Sequence, residues 1–346
     1  MADVVAVALS GGVDSSVAAA LLRDRYDVFG VTMQLGNDDC VEGAWEVCHR
    51  LGIPLHVIDL ERQFEDEVIG YFCGEYRRGR TPNPCVVCNR RIKFGRLLEE
   101  AVRLGAAFLA TGHYARVDKA GDRYRLLKAV DRGKDQSYFL YCLGQHELGR
   151  ILFPLSEHTK DEVRAIAADM GLPTSSARES QEICFVPGND YRRFLRGCLS
   201  PRPGRIVDID GAVVGRHDGV AGYTVGQRHG LGIASGERRY VVGIDADANT
   251  VVVGPEDALW SRGLLAGDVR FVSGEAPQGE IAVEARIRYR AAEAPATVSR
   301  RGELWEVRFE NPQRAVAPGQ SVAFYRGDEV LGGGIIIGGI IIEGII

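Results

Sequence analysis

The chain has 346 residues, 45% of them hydrophobic, and a formal net charge of −5. This length favours two or three domains over one small core, and the acidic balance argues against a uniformly basic nucleic-acid binder, although it says nothing about local patches. No stretch reaches the ~18 apolar residues of a membrane-spanning helix and no signal peptide precedes the first strand, so we expect a cytoplasmic protein without membrane contact, its eight cysteines reduced.

The first distinctive stretch is the hexapeptide Ser-Gly-Gly-Val-Asp-Ser at 10–15. It follows the apolar run 4–9, typical of a buried parallel strand, and precedes the helical pattern 16–22. Glycines without a Cβ and free N–H groups at a helix start let a polyphosphate approach closely. Because neither the lysine-containing Walker motif nor GxGxxG occurs, we expect this loop to hold pyrophosphate rather than to manage γ-phosphoryl transfer.

Further apolar runs at 28–33, 55–60 and 107–113 are predicted strands, and helical patterns lie between them. This alternation predicts an α/β fold, a doubly wound parallel sheet that binds ligands at the carboxyl ends of its strands. Residues 10–15, Met33, Cys88 and Gly112 all lie at or beyond such ends. Two prolines within 81–89 predict an irregular, fixed loop that carries Cys85 and Cys88.

The middle of the chain alternates as a hairpin over 114–131, followed by a predicted aromatic helix over 138–141. Thr159 and Glu162 predict a capping box for a helix that runs to Met170. A short run at 180–185 then carries the thiol of Cys184.

From about residue 201 the pattern changes to short alternating runs separated by turns, which is typical of small β domains and of a closed barrel. We therefore divide the chain into a catalytic domain at 1–198, a central β-rich domain at 199–265 and a C-terminal β-barrel at 266–346. The tail from 332 contains only Gly and Ile apart from Glu343. It is predicted to contribute a final strand, and we assign it no function.

Seven motifs occur in order: SGGVDS, GRTPNPCVVCN, ATGHYARV, KDQSYFL, SQEICF, YTVGQRHGLG and PGQSVAFY. From about Val5 to Gly334, this series resembles the bacterial tRNA-specific 2-thiouridylases, which are tRNA-uridine 2-sulfurtransferases. The resemblance implies a pyrophosphate-loop fold like that of the adenine nucleotide α-hydrolases. It also implies an enzyme that uses ATP to adenylate the C2 carbonyl of the wobble uridine of certain tRNAs, after which sulfur displaces AMP.

The resemblance also implies an ATP site. Its residues are Ala8, Leu9, Ser10, Gly11, Gly12, Val13, Asp14, Ser15, Met33 and Gly112. Attack at the α-phosphate requires a held pyrophosphate leaving group, and Mg²⁺ is expected to neutralise it. Asp14 is the nearest candidate to bind this metal or its water shell.

The two thiols at Cys88 and Cys184 match the working thiols of the family. The resemblance implies that Cys184 carries a persulfide from a sulfur donor protein, a cysteine desulfurase or a relay, and that Cys88 releases the sulfur and leaves a transient disulfide. Thiol exchange needs a thiolate and close approach. Arg178 and the arginines that follow Cys88 are the cations we expect to lower a thiol pKa.

The resemblance implies three groups of residues that contact tRNA. Asn83, Pro84 and Cys85 would line the pocket of the flipped target base. His113, Lys134, Asp135 and Gln136 would contact the nucleic acid from the first domain, and Arg288, Tyr289 and Gln320 would do so from the barrel. By itself, His113 is equally typical of a core histidine.

Two departures from the family pattern leave alternatives open. Cys85 stands where relatives often have Asp, and with Cys88 it forms half of a possible zinc site, but a structural zinc needs four ligands and no second pair occurs. The stretch 36–47 is shorter than in relatives. The rival functions are a pyrophosphate-loop amide or amidine ligase, in which both thiols are spectators, and an RNA- or nucleotide-binding protein without turnover.

Overall fold

The structure, a computed structural model, describes residues 2–36, 39–176, 183–233 and 237–341. Within these ranges the strands form a parallel sheet, a small mixed sheet and a large antiparallel sheet. No helix in the same ranges has the length and apolar character that are needed to cross a membrane.

The first sheet lies in the N-terminal part of the chain. The strands of this part are β1 (Val4–Ala8), β2 (Asp27–Gln34), β3 (Leu55–Asp59), β4 (Phe108–Ala110), β5 (Ala115–Ala120), β6 (Arg123–Lys128) and β7 (Ile151–Leu152). β3, β2, β1, β4 and β7 lie side by side in that order, all parallel. The strand order reverses between β1 and β4, which is where open α/β sheets bind ligands. The predicted doubly wound parallel sheet is confirmed.

The uninterrupted apolar run of β1 reflects burial on both faces of the sheet. Successive side chains of a strand point to opposite faces, so Val5 and Val7 pack in one core and Ala6 in the other. All three are fully buried. Because a buried valine stabilises the fold by about 1.5–3 kcal/mol, a polar residue at any of these positions would be costly.

Helices cover the two faces of this sheet. The α-helices are α1 (Val13–Arg23), α2 (Asp39–Leu51), α3 (Glu61–Phe64), α4 (Gly70–Arg77), α5 (Pro84–Val87), α6 (Leu98–Arg103), α7 (Gln145–Leu148), α8 (Lys160–Asp169) and α9 (Tyr191–Cys198). π-helical segments occur at Glu65–Ile69 and Cys88–Leu97, and 3₁₀ turns at Ser137–Phe139, Pro173–Ser176, Pro187–Asn189, Val220–Gly222 and Glu256–Leu259. The predicted capping box is confirmed: the Thr159 N–H donates to Glu162 Oε2 over 2.7 Å, and the Glu162 N–H donates to Thr159 Oγ1 over 3.3 Å.

Two local predictions are wrong. Residues 84–89 are helical rather than irregular, because Pro84 occupies the first turn of α5, where its missing N–H has no intrahelical partner to lose. The predicted helix over 138–141 is a single 3₁₀ turn at Ser137–Phe139. The hairpin predicted over 114–131 is confirmed as β5 and β6.

The middle of the chain forms the small mixed sheet. Its strands are β8 (Gly204–Asp208), β9 (Val213–His217), β10 (Tyr240–Asp245) and β11 (Thr250–Gly254), in the order β10, β11, β8, β9. Ile206, Val241, Val251 and Val253 form its buried core. This sheet is the predicted small β-rich domain.

The C-terminal strands form a closed barrel. They are β12 (Trp260–Phe271), β13 (Ile281–Arg286), β14 (Ala294–Arg301), β15 (Leu304–Arg314), β16 (Ser321–Arg326) and β17 (Glu329–Ile341). β12 pairs with β15 on one side and with β17 on the other, which closes the sheet and confirms the predicted barrel. Residue 265 lies within β12, and the division of the chain at that residue stays a prediction. The Gly and Ile tail supplies β17 as far as Ile341.

The first residues of β17 pair with β16 of the barrel and also with the first domain. In β17, Glu329 and Val330 pair with Leu127 and Leu126 of β6. The hairpin of the first domain therefore extends the sheet of the barrel, and the two domains share a continuous hydrogen-bonded ladder.

Candidate active site

The hexapeptide 10–15 forms a tight turn between β1 and α1. Gly11 adopts φ +72°, a backbone conformation that favours glycine. The Ser10 N–H donates to Ser15 Oγ over 3.2 Å, and Ser15 Oγ donates to the Gly12 carbonyl over 3.0 Å. Ala8 and Leu9 precede this turn, and Val13 is the first residue of α1. The first turn of a helix leaves N–H groups without intrahelical partners, so this turn can bind an anion.

Gly112 lies against the start of α1. A Cβ placed on Gly112 would lie 2.7 Å from the Asp14 carbonyl carbon and 2.7 Å from the Ser15 nitrogen, so only glycine fits there. Met33, half-buried near the end of β2, is on the neighbouring strand. The predicted ATP-site residues therefore lie at the carboxyl ends of three adjacent strands, β2, β1 and β4.

The carboxylate of Asp14 is held by two side chains that the sequence did not single out. Lys160 Nζ lies 2.6 Å from Asp14 Oδ1 and 2.8 Å from Oδ2, and the Tyr114 hydroxyl donates to Oδ1 over 2.8 Å. Among the described residues, no group of three or more His, Cys, Asp or Glu side chains could hold a metal ion. A carboxylate already neutralised by an ammonium group does not fit a Mg²⁺ ion held by protein ligands.

Cys88 is buried at the start of the π-helical segment Cys88–Leu97. Burial raises the pKa of its thiol to about 12, Lys93 opposes this shift, and the neighbouring thiols Cys184 and Cys85 add to it. In a π-helix, i→i+5 pairing brings residue 93 next to residue 88. Cys88 is therefore a protonated thiol at neutral pH, and Lys93 is the cation that favours its thiolate.

Cys85 presents part of its surface to solvent. Loss of water around its thiol nevertheless raises its pKa, which Lys93 opposes and Cys184 increases. The structure thus gathers three thiols at one place, although Cys184 is far from the other two in sequence. No disulfide joins any of the eight cysteines, all of which lie in the described part of the chain.

Cys184 is exposed, and the residue after it anchors its segment. The Phe185 ring packs edge-on against Phe72 at 5.3 Å and against Phe64 at 5.7 Å between ring centroids. Such contacts fix the backbone on one side of Cys184. Arg178, one of the predicted cations, lies outside the described residues.

The arginines that follow Cys88 in sequence are engaged elsewhere. Arg90 pairs with Asp268 at 2.6 Å, and Arg91 and Arg96 lie within 3.7 and 3.8 Å of Glu67. Lys93 is the residue whose charge lowers the pKa values of Cys85 and Cys88. In the sequence Lys93 is one of several basic residues that follow Cys88, and only the helical geometry distinguishes it from its neighbours.

His113 is buried and directly follows Gly112 in the chain. Its Nδ1 lies 2.8 Å from Thr111 Oγ1, and its ring packs against Phe94 at 5.6 Å. Burial, together with Lys93, holds its pKa well below the usual range, so the ring is neutral. The charge of Lys93 therefore lowers the pKa of His113 as well as those of Cys85 and Cys88.

The loop 134–136 contacts the chain at Tyr114, next to His113. Asp135 is buried, and its carboxylate accepts hydrogen bonds from the Ala129 N–H over 2.9 Å and the Ser137 hydroxyl over 2.8 Å. Gln136 Oε1 accepts from the Tyr114 N–H over 3.0 Å, and Lys134 is half-buried. These contacts hold the backbone of Tyr114, the residue that donates to Asp14. A role of the three residues toward tRNA stays a prediction.

Two of the barrel residues predicted to contact tRNA, Gln320 and Tyr289, also contact the first domain. Gln320 Nε2 donates to the Thr81 carbonyl over 2.9 Å, and Tyr289 packs on Phe139 at 4.6 Å. Arg288 donates to the Arg314 carbonyl over 2.6 Å. The barrel therefore lies against the segment that carries Asn83, Pro84 and Cys85.

Thr81 joins the first domain to the barrel and to the middle domain through hydrogen bonds. Its N–H donates to the Pro318 carbonyl over 2.8 Å, and its hydroxyl donates to Thr224 Oγ1 of the middle domain over 3.0 Å. With Gln320 on its carbonyl, each polar group of Thr81 is held from outside its own domain. We call residues 79–83 the Thr81 loop.

Three family models match the chain in succession. They are described as the tRNA methyl transferase HUP domain at residues 3–188, the tRNA methyl transferase PRC-barrel domain at 192–255 and the aminomethyltransferase beta-barrel domain at 261–336. Among solved structures, the NMN synthetase of Francisella tularensis covers 52% of this chain and 67% of its own, with 16% identity and a TM-score of 0.35. At this identity and TM-score, the similarity supports no conclusion about this chain.

Curated relatives match over nearly the whole chain. The tRNA-specific 2-thiouridylase MnmA of Pelotomaculum thermopropionicum is 47% identical and covers 96% of both chains. The protein of the same name from Heliobacterium modesticaldum is 49% identical and covers 97% of this chain and 93% of its own. The one from Roseiflexus castenholzii is 50% identical and covers 96% and 98%. Since about half of all positions are identical over almost the full length of both partners, this chain belongs to the tRNA-specific 2-thiouridylase family.

Proposed function

We propose that this chain catalyses ATP-dependent 2-thiolation of the wobble uridine of certain tRNAs. The family and its curated relatives support the reaction class. The observation that carries the proposal is the grouping of Cys184 with Cys88 beside the Lys93 ammonium, at the carboxyl edge of a sheet that also presents an anion-binding turn.

In the first step, the C2 carbonyl oxygen of the uridine attacks the α-phosphate of ATP, and pyrophosphate leaves. The turn at 10–15 would hold this pyrophosphate through its N–H groups and the Ser10 and Ser15 hydroxyls. Asp14, neutralised by Lys160, would position the turn. Mg²⁺, if required, would enter on the phosphates of ATP, since the residues around Asp14 form no cation site.

In the second step, Cys184 carries a persulfide supplied by a donor protein. The Cys88 thiolate attacks Cys184 Sγ, the bond to the terminal sulfur breaks, and its electron pair leaves as hydrosulfide. Hydrosulfide attacks C2 and expels AMP with the original oxygen. The resulting Cys88–Cys184 disulfide is reduced by an external dithiol before the next cycle.

The Thr81 loop would frame the pocket for the target base. A base must leave the stack before its carbonyl can reach a bound nucleotide. The base would be contacted by Asn83, Pro84 and Cys85. The surface around this pocket would be held or lined by seven further residues: His113, Lys134, Asp135, Gln136, Arg288, Tyr289 and Gln320.

The decisive experiment combines tRNA, ATP and a persulfide donor and measures pyrophosphate release together with the mass of the wobble nucleoside. Wild type is expected to release pyrophosphate and to exchange oxygen for sulfur. Cys88→Ser and Cys184→Ser should abolish thiolation but retain ATP binding, whereas the matched control Cys40→Ser, at an exposed cysteine of α2, should retain thiolation. An active Cys184→Ser enzyme would exclude the persulfide step.

The rival functions give different results in the same assay. A ligase would release pyrophosphate with both thiols replaced and would form an amide or amidine. A binding protein would release none, and a methyltransferase would add a methyl group instead of sulfur. If Cys85→Ser is inactive and Cys88→Ser is active, Cys85 is the partner of Cys184.

A further inference from the structure

A cavity of about 1410 Å³ lies between the first domain and the middle sheet, away from the hexapeptide. One wall is formed by the ends of α4 and α9 and by the residues that follow them. It carries six arginines: Arg77, Arg78, Arg80, Arg192, Arg196 and Arg202. Clustered arginines are often solvated independently of one another. Whether these arginines form an anion-binding site therefore depends on their ion pairs with carboxylates and on their position in the cavity.

Most of these guanidinium groups are not neutralised. Arg78 and Arg80 share the buried Glu75, at 2.9 and 3.6 Å. Arg192 donates to the Gly222 carbonyl over 2.8 Å, which leaves its charge uncompensated. In the described part of the chain, no carboxylate forms an ion pair with Arg77, Arg192, Arg196 or Arg202.

Carboxylates also line the cavity, on its opposite side. They are Asp218, Asp245 and Asp247, all exposed. Asp245 already accepts a hydrogen bond from the Ala248 N–H over 2.8 Å. The arginines outnumber the carboxylates, including Glu75, and they are concentrated on the wall that continues into the Thr81 loop.

The cavity is connected to the proposed base pocket by the chain itself. Arg80 directly precedes Thr81, and a Cβ placed on Gly79 would lie 2.6 Å from Ile244, so this segment is packed against the middle sheet. The opposite wall includes Gly219, Gly222 and Gly230, which add no side chains of their own, and the Arg192 side chain lies against Gly222 and Gly230. A ligand whose base enters the pocket would thus pass the arginine wall.

We propose that this arginine wall binds the sugar–phosphate backbone of the tRNA beside the extruded uridine. The inference rests on the proposed function for the identity of the polyanion. The planar guanidinium fork matches two oxygens of a phosphate, and contacts of this kind fix register without reading sequence. The wall sets the affinity for tRNA and the orientation of the anticodon arm, whereas Cys88 and Cys184 perform the chemistry.

The test uses the full chain with Arg77→Gln, Arg196→Gln and Arg202→Gln combined, and measures tRNA affinity over a range of salt. Each phosphate contact contributes about 0.7–0.9 to the slope of log K against log salt. We expect the slope to fall by about 2–3 and affinity at low salt to fall about tenfold or more. At saturating tRNA, kcat for thiolation should be unchanged, so the effect appears in KM.

The matched control replaces Arg25, Arg205 and Arg216 by Gln. These arginines are exposed and do not line the cavity, and the change in net charge is the same. A second variant that combines Arg77→Lys, Arg196→Lys and Arg202→Lys keeps the charge and should restore most of the salt slope. Equal ATP affinity and equal thermal midpoints would show that all variants are folded.

Three results would overturn the proposal. The cavity variant could match the control in slope and affinity. It could lose activity only with the protein sulfur donor and not with sulfide, which would assign the wall to donor docking. It could lose binding of inorganic phosphate while keeping its tRNA affinity, which would indicate a free-anion site. Since wild-type thiolation is measured in parallel, failure of the proposed function is seen separately.

Discussion

Lys160 Nζ contacts both carboxylate oxygens of Asp14, at 2.6 and 2.8 Å, across 146 residues of sequence. The Lys160 side chain is only 9% exposed and that of Asp14 34%, so the pair is partly shielded from water. α8 is thereby fastened to the first turn of α1. The position of the anion-binding turn depends on a cation that begins a different helix.

Replacing Lys160 by Met should lower the free energy of unfolding by about 1–3 kcal/mol, below the cost of a fully buried unpaired charge. Urea unfolding measures this loss. Asp14→Asn combined with Lys160→Met should recover stability, since no unpaired charge remains, but it should not recover pyrophosphate release. Tyr114→Phe, which removes one hydrogen bond to Asp14, is the milder control. Equal stability of the single and double variants would contradict the role of the pair.

Lys93→Met should slow alkylation of Cys88 at every pH below the pKa of its thiol. The positive charge of Lys93 lowers that pKa, which burial raises to about 12; removing the charge raises it further and reduces the thiolate fraction. Iodoacetamide labelling followed by peptide mass spectrometry gives the profile of rate against pH. Lys93→Arg should behave as wild type. An unchanged profile for Lys93→Met would show that Lys93 does not activate Cys88.

Gly112→Ala should weaken ATP binding by about tenfold or more, because the new methyl group would displace the backbone of Asp14 and Ser15, and each tenfold change corresponds to about 1.4 kcal/mol. Isothermal titration with a non-hydrolysable ATP analogue measures the effect. Gly338→Ala is the matched control, since nothing lies within 4 Å of its added Cβ. Wild-type affinity in Gly112→Ala would mean that the turn moves without cost.

Acidification should destabilise the protein partly through His113. Burial holds its pKa in the folded state well below the ordinary value of about 6.5, so the unfolded state binds the proton more tightly. The contribution of the neutral His113 ring to the free energy of unfolding is therefore complete above about pH 6.5. It is lost as the pH falls, by at most about 1.4 kcal/mol per pH unit. His113→Gln should flatten this dependence.

His146→Gln, at an exposed position, should leave the same dependence unchanged. His217 of the middle domain shifts in the same direction, so the slope should decrease without disappearing. An identical slope in wild type and His113→Gln would show that the His113 ring is protonated in the folded protein at no cost.

Local sequence patterns predicted the parallel sheet, the capping box of α8 and the turn at 10–15, because each of these features depends on residues that are close in sequence. Pro84 was misinterpreted because proline excludes a helix interior but not a helix start. Lys160 and Tyr114 could not be found from spacing, since their only link to Asp14 is the packing of three separate elements. The sequence identifies Lys93 as a basic residue, but its position beside Cys88 depends on π-helical pairing, which could not be predicted from the sequence.

The pairing of β17 with β6 has a consequence for synthesis. About 200 residues separate Leu127 from Glu329, and at roughly 5–20 residues per second the ribosome needs about 10–40 s to make them. During that time the hairpin next to residues 134–136 has an open strand edge, a template for wrong partners. The free edge of β6 is thus covered only when β17, which follows all the other strands in sequence, has been translated. A chain that stops before residue 329 leaves the ribosome with this edge exposed.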